Sequence, residues 1–250
     1  MKLFFILSSI FLLLAINGCS SLNLSWKKTE QASYNAAVDP LTWAPALGSA
    51  VLYTTQYDND ISKYMMEHKP IQCIKISSKD CTDRDDVYRE LNSVLTFTTA
   101  GLVDDDGNTT KKIKRLVVEE STYILSKSVV LSLETVGKTT PDGRHTTALG
   151  SHHALEPFAG SAMTRRNVAQ MNIPALGKYT IVGASYYFSS YTALTRIQEG
   201  GHSLGDQFVN MAVGNFLGLF MDDMFMSGDN TKLHILPLKD RIEFSLNYHF

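Results

Sequence analysis

The sequence predicts an all-α helical bundle followed by a short C-terminal β-hairpin or strand. Between residues 39 and 226 apolar side chains recur at three- and four-residue spacing, as in helices that bury one face. Runs that cannot continue a helix punctuate these segments, Asp104-Asp105-Asp106-Gly107-Asn108 and Pro141-Asp142-Gly143 among them. The tail has another rhythm: Ile242, Phe244, Leu246 and Tyr248 alternate with Glu243, Ser245, Asn247 and His249, the period of a strand.

With 250 residues, 44% hydrophobic and 19% charged, the chain is long enough for one large domain and too apolar for wholesale disorder. Its 23 basic and 25 acidic residues leave a formal charge of −2, which disfavours a nucleic-acid partner. Three cysteines without a Cys-x2-Cys pair suggest neither a disulfide scaffold nor a structural zinc site, so stability rests on packing.

Residues 1–18 read as a secretory leader. Lys2 supplies a positive charge, and the apolar run over 3–14, broken only by Ser8 and Ser9, is too short to span a bilayer of about 30 Å. The run ends in Ala15-Ile16-Asn17-Gly18-Cys19, which resembles a bacterial lipoprotein cleavage site. The resemblance implies lipidation of Cys19. Because Ser20 and Ser21 stand where an Asp would favour inner-membrane retention, it also implies anchoring in the outer membrane, with the domain in the periplasm. An ordinary secretory signal with an incidental cysteine is the alternative. In an oxidising compartment Cys73 and Cys81 read equally as a disulfide or as two buried thiols.

Residues 19–38, polar and without clear period, are expected to form a lipidated tether; the helical domain is expected over 39–226 and the strand segment over 227–250. Asp39-Pro40 is a helix cap with Pro in the first turn, and Trp43, Leu47, Val51 and Leu52 continue the pattern. A short helix over 60–68 ends before Pro70. Over 83–102, Val87, Leu91, Val94, Leu95 and Thr98 share the face expected to be buried. Ile113, Leu116, Val117, Ile124, Val129 and Leu133 do the same over 109–136. Helical patterns resume at 153–170, 178–197 and 202–226. The long uncharged stretch of 179–195 carries Ser, Thr and Tyr, which suits a central bundle helix better than a membrane span.

The candidate chemistry lies between residues 133 and 214. In Thr195-Arg196-Ile197-Gln198-Glu199-Gly200-Gly201-His202-Ser203-Leu204-Gly205-Asp206 one helical pattern ends, turns through two glycines, and a second begins at a histidine. His202 and Asp206 are four residues apart, the spacing of one helical face. A nucleophilic imidazole needs its second nitrogen held by an acceptor, which Asp206 supplies, and a helix start with Arg196 nearby suits an anion. Taken alone, a His-x3-Asp pair is as readily a solvated helix pair or a partial metal site.

Together with Ala212-Val213-Gly214-Asn215-Phe216-Leu217-Gly218, this Arg-x5-His-x3-Asp array resembles the third signature of the type 2 phosphatidic acid phosphatase and vanadium haloperoxidase superfamily. Thr195 stands where the family has Ser. Ser151-His152-His153-Ala154, with Phe158-Ala159-Gly160, resembles the second signature, Pro-Ser-Gly-His, with Gly150 and His152 replacing Pro and Gly. The resemblance covers roughly residues 39–226 and implies a family-type helical bundle and phosphoryl hydrolysis without a cofactor. It implies His202 as nucleophile, Asp206 as its partner, His153 as general acid, and Arg196 and Ser151 as phosphate ligands.

The first signature, Lys-x6-Arg-Pro, is matched only in part. The run Thr135-Val136-Gly137-Lys138-Thr139-Thr140-Pro141-Asp142-Gly143 sets a register in which Leu133 replaces the lysine and Thr140 the arginine. A threonine cannot reproduce the bidentate clamp of a guanidinium. Lys138 and Arg144, with His145 and His152, are the nearby basic residues that can lean into the vacancy.

Three functions therefore stand open. The first is a lipid-anchored envelope phosphatase acting on a phosphomonoester or pyrophosphate, including a phospholipid substrate, through a phosphohistidine. The second is a catalytically impaired relative that binds anionic headgroups or supports an envelope assembly. The third is a metal site built from His152, His153, His202 and Asp206.

Overall fold

The computed structural model describes residues 25–55, 57–71, 84–105, 108–133, 140–143 and 149–226, and the backbone of 231–238 and 241–248. The leader with Cys19, the Cys73 and Cys81 pair, and the basic candidates Lys138, Arg144 and His145 lie outside the described residues.

The described domain is helical from Trp26 to Phe225. Helix α1 (Trp26–Val38) is capped by Ser25, whose hydroxyl accepts from the Lys28 amide. This corrects the expected tether. Ala32 and Ala36 are buried, and Ala36 packs with Ala162 and Leu219 in the core. Alanines four apart form a narrow helical seam, which leaves the segment looking polar as sequence.

Asp39 ends α1 and caps α2 (Pro40–Thr54), accepting from the Leu41 amide at 3.0 Å. The same carboxylate accepts from Arg165 at 2.7 Å and from Asn215 at 3.0 Å, so the start of α2 is fixed to two further helices. Then come α3 (Tyr57–His68), α4 (Arg84–Leu102), α5 (Thr109–Leu133), α6 (His152–Gln170), α7 (Ala175–Gln198) and α8 (Leu204–Phe225).

Helix α6 is the central post, buried almost all round from Ala154 to Thr164 and touched by α4, α5, α7 and α8. Its closest neighbour is α8, through Gly214 and Gly218. A Cβ on Gly214 would stand 2.5 Å from the Leu155 carbonyl oxygen, and one on Gly218 would collide with the Ala159 carbonyl. Only glycine lets the two backbones approach this closely.

The interior between α4, α6 and α7 is lined with hydroxyls. The Asn92 amide donates to Ser161 at 3.0 Å, to Ser189 at 3.0 Å and to the Ser185 carbonyl at 2.8 Å, and Thr96 bonds Thr164 at 3.1 Å, all fully buried. Each of these side chains finds a partner among its neighbours, which offsets its desolvation.

The apolar faces expected to point inward do so only in part: Leu95 of α4 and Leu116, Ile124, Val129 and Leu133 of α5 are half-buried. Val87, Leu91 and Val94 of α4 are exposed, Val94 to 63%, as are Ile113 and Val117 of α5. The buried side of α4 is instead Tyr88, Asn92, Thr96 and Thr99, and that of α5 includes Arg115, Val118, Glu119, Thr122 and Ser126. Short side chains allow close helix packing, and there the hydroxyl stripe is the packed one. On α2 likewise, Trp43, Leu47 and Val51 form an exposed stripe while Thr42, Pro45 and Ser49 are buried.

No helix among the described residues is long and apolar enough to cross a membrane. Beyond the bundle, the backbone of β1 (Thr231–Leu238) pairs antiparallel with β2 (Arg241–Tyr248), Ile235 opposite Phe244.

Candidate functional site

The turn between α7 and α8 is built from its glycines outward. Gly200 has φ +77°, and a Cβ there would also meet Met66 and Asp142 at 2.6 and 2.9 Å, so glycine is required by conformation and by space. Arg196, in the last turn of α7, pairs with Glu199 at 2.7 Å. Its guanidinium also lies against Gly201, with one nitrogen 3.6 Å from where a Cβ would stand, next to His202.

His202 is buried but precedes the helix. The N-cap of α8 is Ser203, in a reciprocal capping box: its hydroxyl accepts from the Asp206 amide at 3.3 Å, and Asp206 accepts from the Ser203 amide at 2.8 Å. This corrects the expectation that His202 opens the helix and shares a face with Asp206. The other oxygen of Asp206 accepts from the Tyr53 hydroxyl at 2.7 Å. Burial first, then the Asp206 charge, hold Tyr53 far above the usual phenol range, so it stays a donor.

The amides that open α8 are already satisfied. Leu204 donates to Ser62 at 3.3 Å and Gly205 to the buried Asp58 at 2.7 Å, while Asp206 donates to Ser203. Helix α3 thus plugs the α8 start with a carboxylate, so the anion-binding terminus expected there is filled by the protein itself.

The start of α6 is different. Ser151 is its N-cap, 2% exposed, yet its side chain makes no capping bond, and among the described residues its buried hydroxyl has no hydrogen-bond partner. The Ser151 amide donates to Asn210 of α8 at 3.0 Å, and Asn210 donates to the Gln207 carbonyl oxygen at 3.4 Å. Gln207 is 3% exposed, and its amide nitrogen likewise has no partner.

The rings of the two histidines that follow meet at a tilt of 41°, with centroids 4.1 Å apart. His153 is 3.5 Å from Asp86 of α4, which also pairs with Arg89 at 2.9 Å. His152 titrates near 4, held down first by burial and then by His153, Arg89, Arg196 and Lys127, so it is neutral at pH 7. The influence of Arg196 on His152 puts the end of α7 in the electrostatic neighbourhood of the α6 start.

Two further segments border this neighbourhood. A Cβ on Gly150, the residue before Ser151, would lie 3.0 Å from Leu133 Cβ, so the end of α5 adjoins the α6 start. Leu133 itself packs with Val130, Leu155 and Leu217. Thr140 is buried and donates to Asp142 at 2.5 Å, and Asp142 abuts Gly200. Neither neighbour supplies a cation.

Arg196 thus adjoins His202 along the turn and acts electrically on His152, while Ser151 and His153 sit at the start of α6. Tyr53, Asp58, Glu199, Gln207 and Asn210 went unread in the sequence. Gln207 and Asn210 carried a signal, being polar one and four residues beyond Asp206 in the mostly apolar first half of the helix. Among the described residues no three His, Cys, Asp or Glu side chains gather as metal ligands would. Comparison with family models, curated proteins and solved structures gave no match.

Proposed function

We propose that this chain is a lipid-anchored envelope phosphatase with the bundle of the type 2 phosphatidic acid phosphatases and a C-terminal hairpin. It hydrolyses a phosphomonoester or pyrophosphate, including a phospholipid phosphate. The observation carrying this reading is the placement of Arg196, against the Gly201–His202 turn on one side and within electrical reach of His152, the neighbour of His153, on the other. In the reaction His202 attacks phosphorus, His153 gives a proton to the leaving oxygen, and water then displaces phosphate from the phosphohistidine. Asp86, beside His153, supports the proton-carrying imidazole.

The test is initial rates of the purified protein on a generic phosphomonoester, a lipid phosphate and a lipid pyrophosphate, beside His202→Ala and with a metal chelator. Activity abolished by the substitution and indifferent to chelator supports the reading. Loss with chelator overturns it in favour of a metal enzyme. For the anchor, Cys19→Ser is expected to release the protein from the membrane fraction.

A second reading, an impaired relative that binds anionic headgroups, is favoured by one specific feature. Arg196 is already paired with Glu199 at 2.7 Å, and the residues at 133 and 140 are Leu and Thr. A phosphate dianion would meet little net positive charge. Hydrolysis of none of the three substrates would favour this reading.

A further inference from the structure

We propose that Ser151 and Gln207, both tied to Asn210, supply two uncharged donors to a tetrahedral oxyanion carrying a single negative charge. The inference deepens the phosphatase reading and rests on it for the identity of the anion as a phosphate.

The pair is assembled from two helices. Asn210 uses its carbonyl oxygen to accept from the Ser151 amide and its nitrogen to donate to Gln207, so one carboxamide ties both residues. Ser151 and Gln207 are more than nine-tenths buried, and among the described residues the Ser151 hydroxyl and Gln207 amide nitrogen have no partner. Such groups are expensive to bury for packing alone, because each forfeits its hydrogen bonds to water. Asparagine or glutamine donors aimed at an oxyanion are a known way to hold charge without supplying any. The uncapped start of α6 adds a partial positive charge at the same place.

The charge of the ligand follows from the surroundings. Among the described residues, Arg196 is paired with Glu199, Arg89 with Asp86, and His152 is neutral at pH 7, while Lys127 exerts the weakest of the charge effects felt at His152. Hydrogen bonds from neutral donors can offset the desolvation of a monoanion, whereas a dianion, which costs several times more to desolvate, needs full cations beside it. The chemical class is therefore a singly charged phosphate group, either a phosphomonoester in its monoprotonated form, which is the form the phosphatase reading would then hydrolyse, or a phosphodiester.

Calorimetric titration of the full-length protein with dimethyl phosphate, methyl phosphate and inorganic phosphate at pH 8 tests this. Dimethyl phosphate is expected to bind at least as tightly as the two dianions. Gln207→Leu is expected to weaken it about tenfold or more, and Ser151→Ala similarly. Gln207→Glu should abolish binding by like charge. Thermal melts without ligand confirm that each variant folds. Loss of affinity in Asn210→Ala should vanish in the Ser151→Ala, Gln207→Leu background, because Asn210 acts through those two residues.

Unchanged dimethyl phosphate affinity in folded Gln207→Leu overturns the proposal, as does a clear preference for the dianions or no binding of any probe. If Gln207-dependent binding is seen without hydrolysis of any substrate, the donor pair stands and the phosphatase reading falls. If His202-dependent hydrolysis is seen with affinities indifferent to Gln207, the reverse holds.

Discussion

The Tyr53 hydroxyl donates to Asp206 at 2.7 Å, joining the last turn of α2 to the capping box that starts α8. One phenol thereby secures the acidic residue on which the turn carrying His202 depends. Tyr53→Phe keeps the ring and removes the donor, leaving a buried carboxylate oxygen short of its partner. The expected loss is about 1.5–3 kcal/mol, read from urea unfolding at pH 7. Because the phenol is raised in the folded state, its contribution is complete below pH 10, the unfolded value, and declines as the pH climbs beyond it. Wild type and Tyr53→Phe should therefore converge in strong alkali.

Glu119 provides a second test, in the neutral range. It is fully buried and accepts from Asn167 at 2.6 Å. Desolvation raises its carboxyl to about 8, against the opposing pull of Asn167 and Arg115. A raised acid stabilises the fold fully below its unfolded value near 4.5, and that stability is lost as pH rises through about 8. Glu119→Gln carries no ionisable proton, so it should sit close to wild type in unfolding free energy at pH 4.5 and exceed it at pH 8.5. A difference that stays constant across that span would show that Glu119 does not titrate this way.

The α6–α8 seam predicts that Gly218→Ala costs about 1–3 kcal/mol, and Gly214→Ala a similar amount, because each new methyl meets a backbone carbonyl on the facing helix. Gly101→Ala, with open space around it, is the control and should be neutral or slightly stabilising in the same chemical denaturation series.

Restoring cations where Leu133 and Thr140 stand is a test of catalysis. Under the phosphatase reading, Leu133→Lys with Thr140→Arg should raise kcat, since one missing oxyanion donor typically costs about 2.7–4 kcal/mol. The substitution removes Leu133 from its cluster with Val130 and Leu155 and the Thr140 bond to Asp142, so the Tm without phosphate should fall. Added phosphate should recover part of it. A double variant that folds and turns over no faster than wild type would remove the missing cations as the explanation for low activity.

Helix boundaries were legible where caps and breakers are local, though not at α1, read as a tether, nor at the start of α8, where Ser203 and not His202 is the cap. Asp39-Pro40 starts α2 as its chemistry dictates, and the end of α7 falls just before Gly200-Gly201. Which face turns inward was less legible. In α4 the branched residues Val87, Leu91 and Val94 outrank Asn92, Thr96 and Thr99 on any hydrophobicity scale, yet the latter meet complementary polar side chains from α6 and α7: Asn92 meets Ser161 and Ser189, Thr96 meets Thr164, and Thr99 meets Asn167. That complementarity is a property of three helices together and cannot be seen in one. The same reason hid Asp58 and Tyr53, whose partners lie about 150 residues further along the chain. Ser151 was readable as a motif residue, but its missing cap bond was visible only in three dimensions.

The hydroxyl-lined interior also bears on how the protein responds to temperature. Unfolding hydrates Asn92, Thr96, Ser161, Ser185 and Ser189, while Val94, Leu47 and Val51 are already wet in the native state. Newly hydrated polar surface lowers the heat capacity and newly hydrated apolar surface raises it, so the two contributions partly cancel here. The increment per residue, measured by scanning calorimetry, should fall below the usual ~12–15 cal/mol/K. A small increment flattens the curve of free energy against temperature, so cooling erodes the fold slowly and cold denaturation recedes further below freezing.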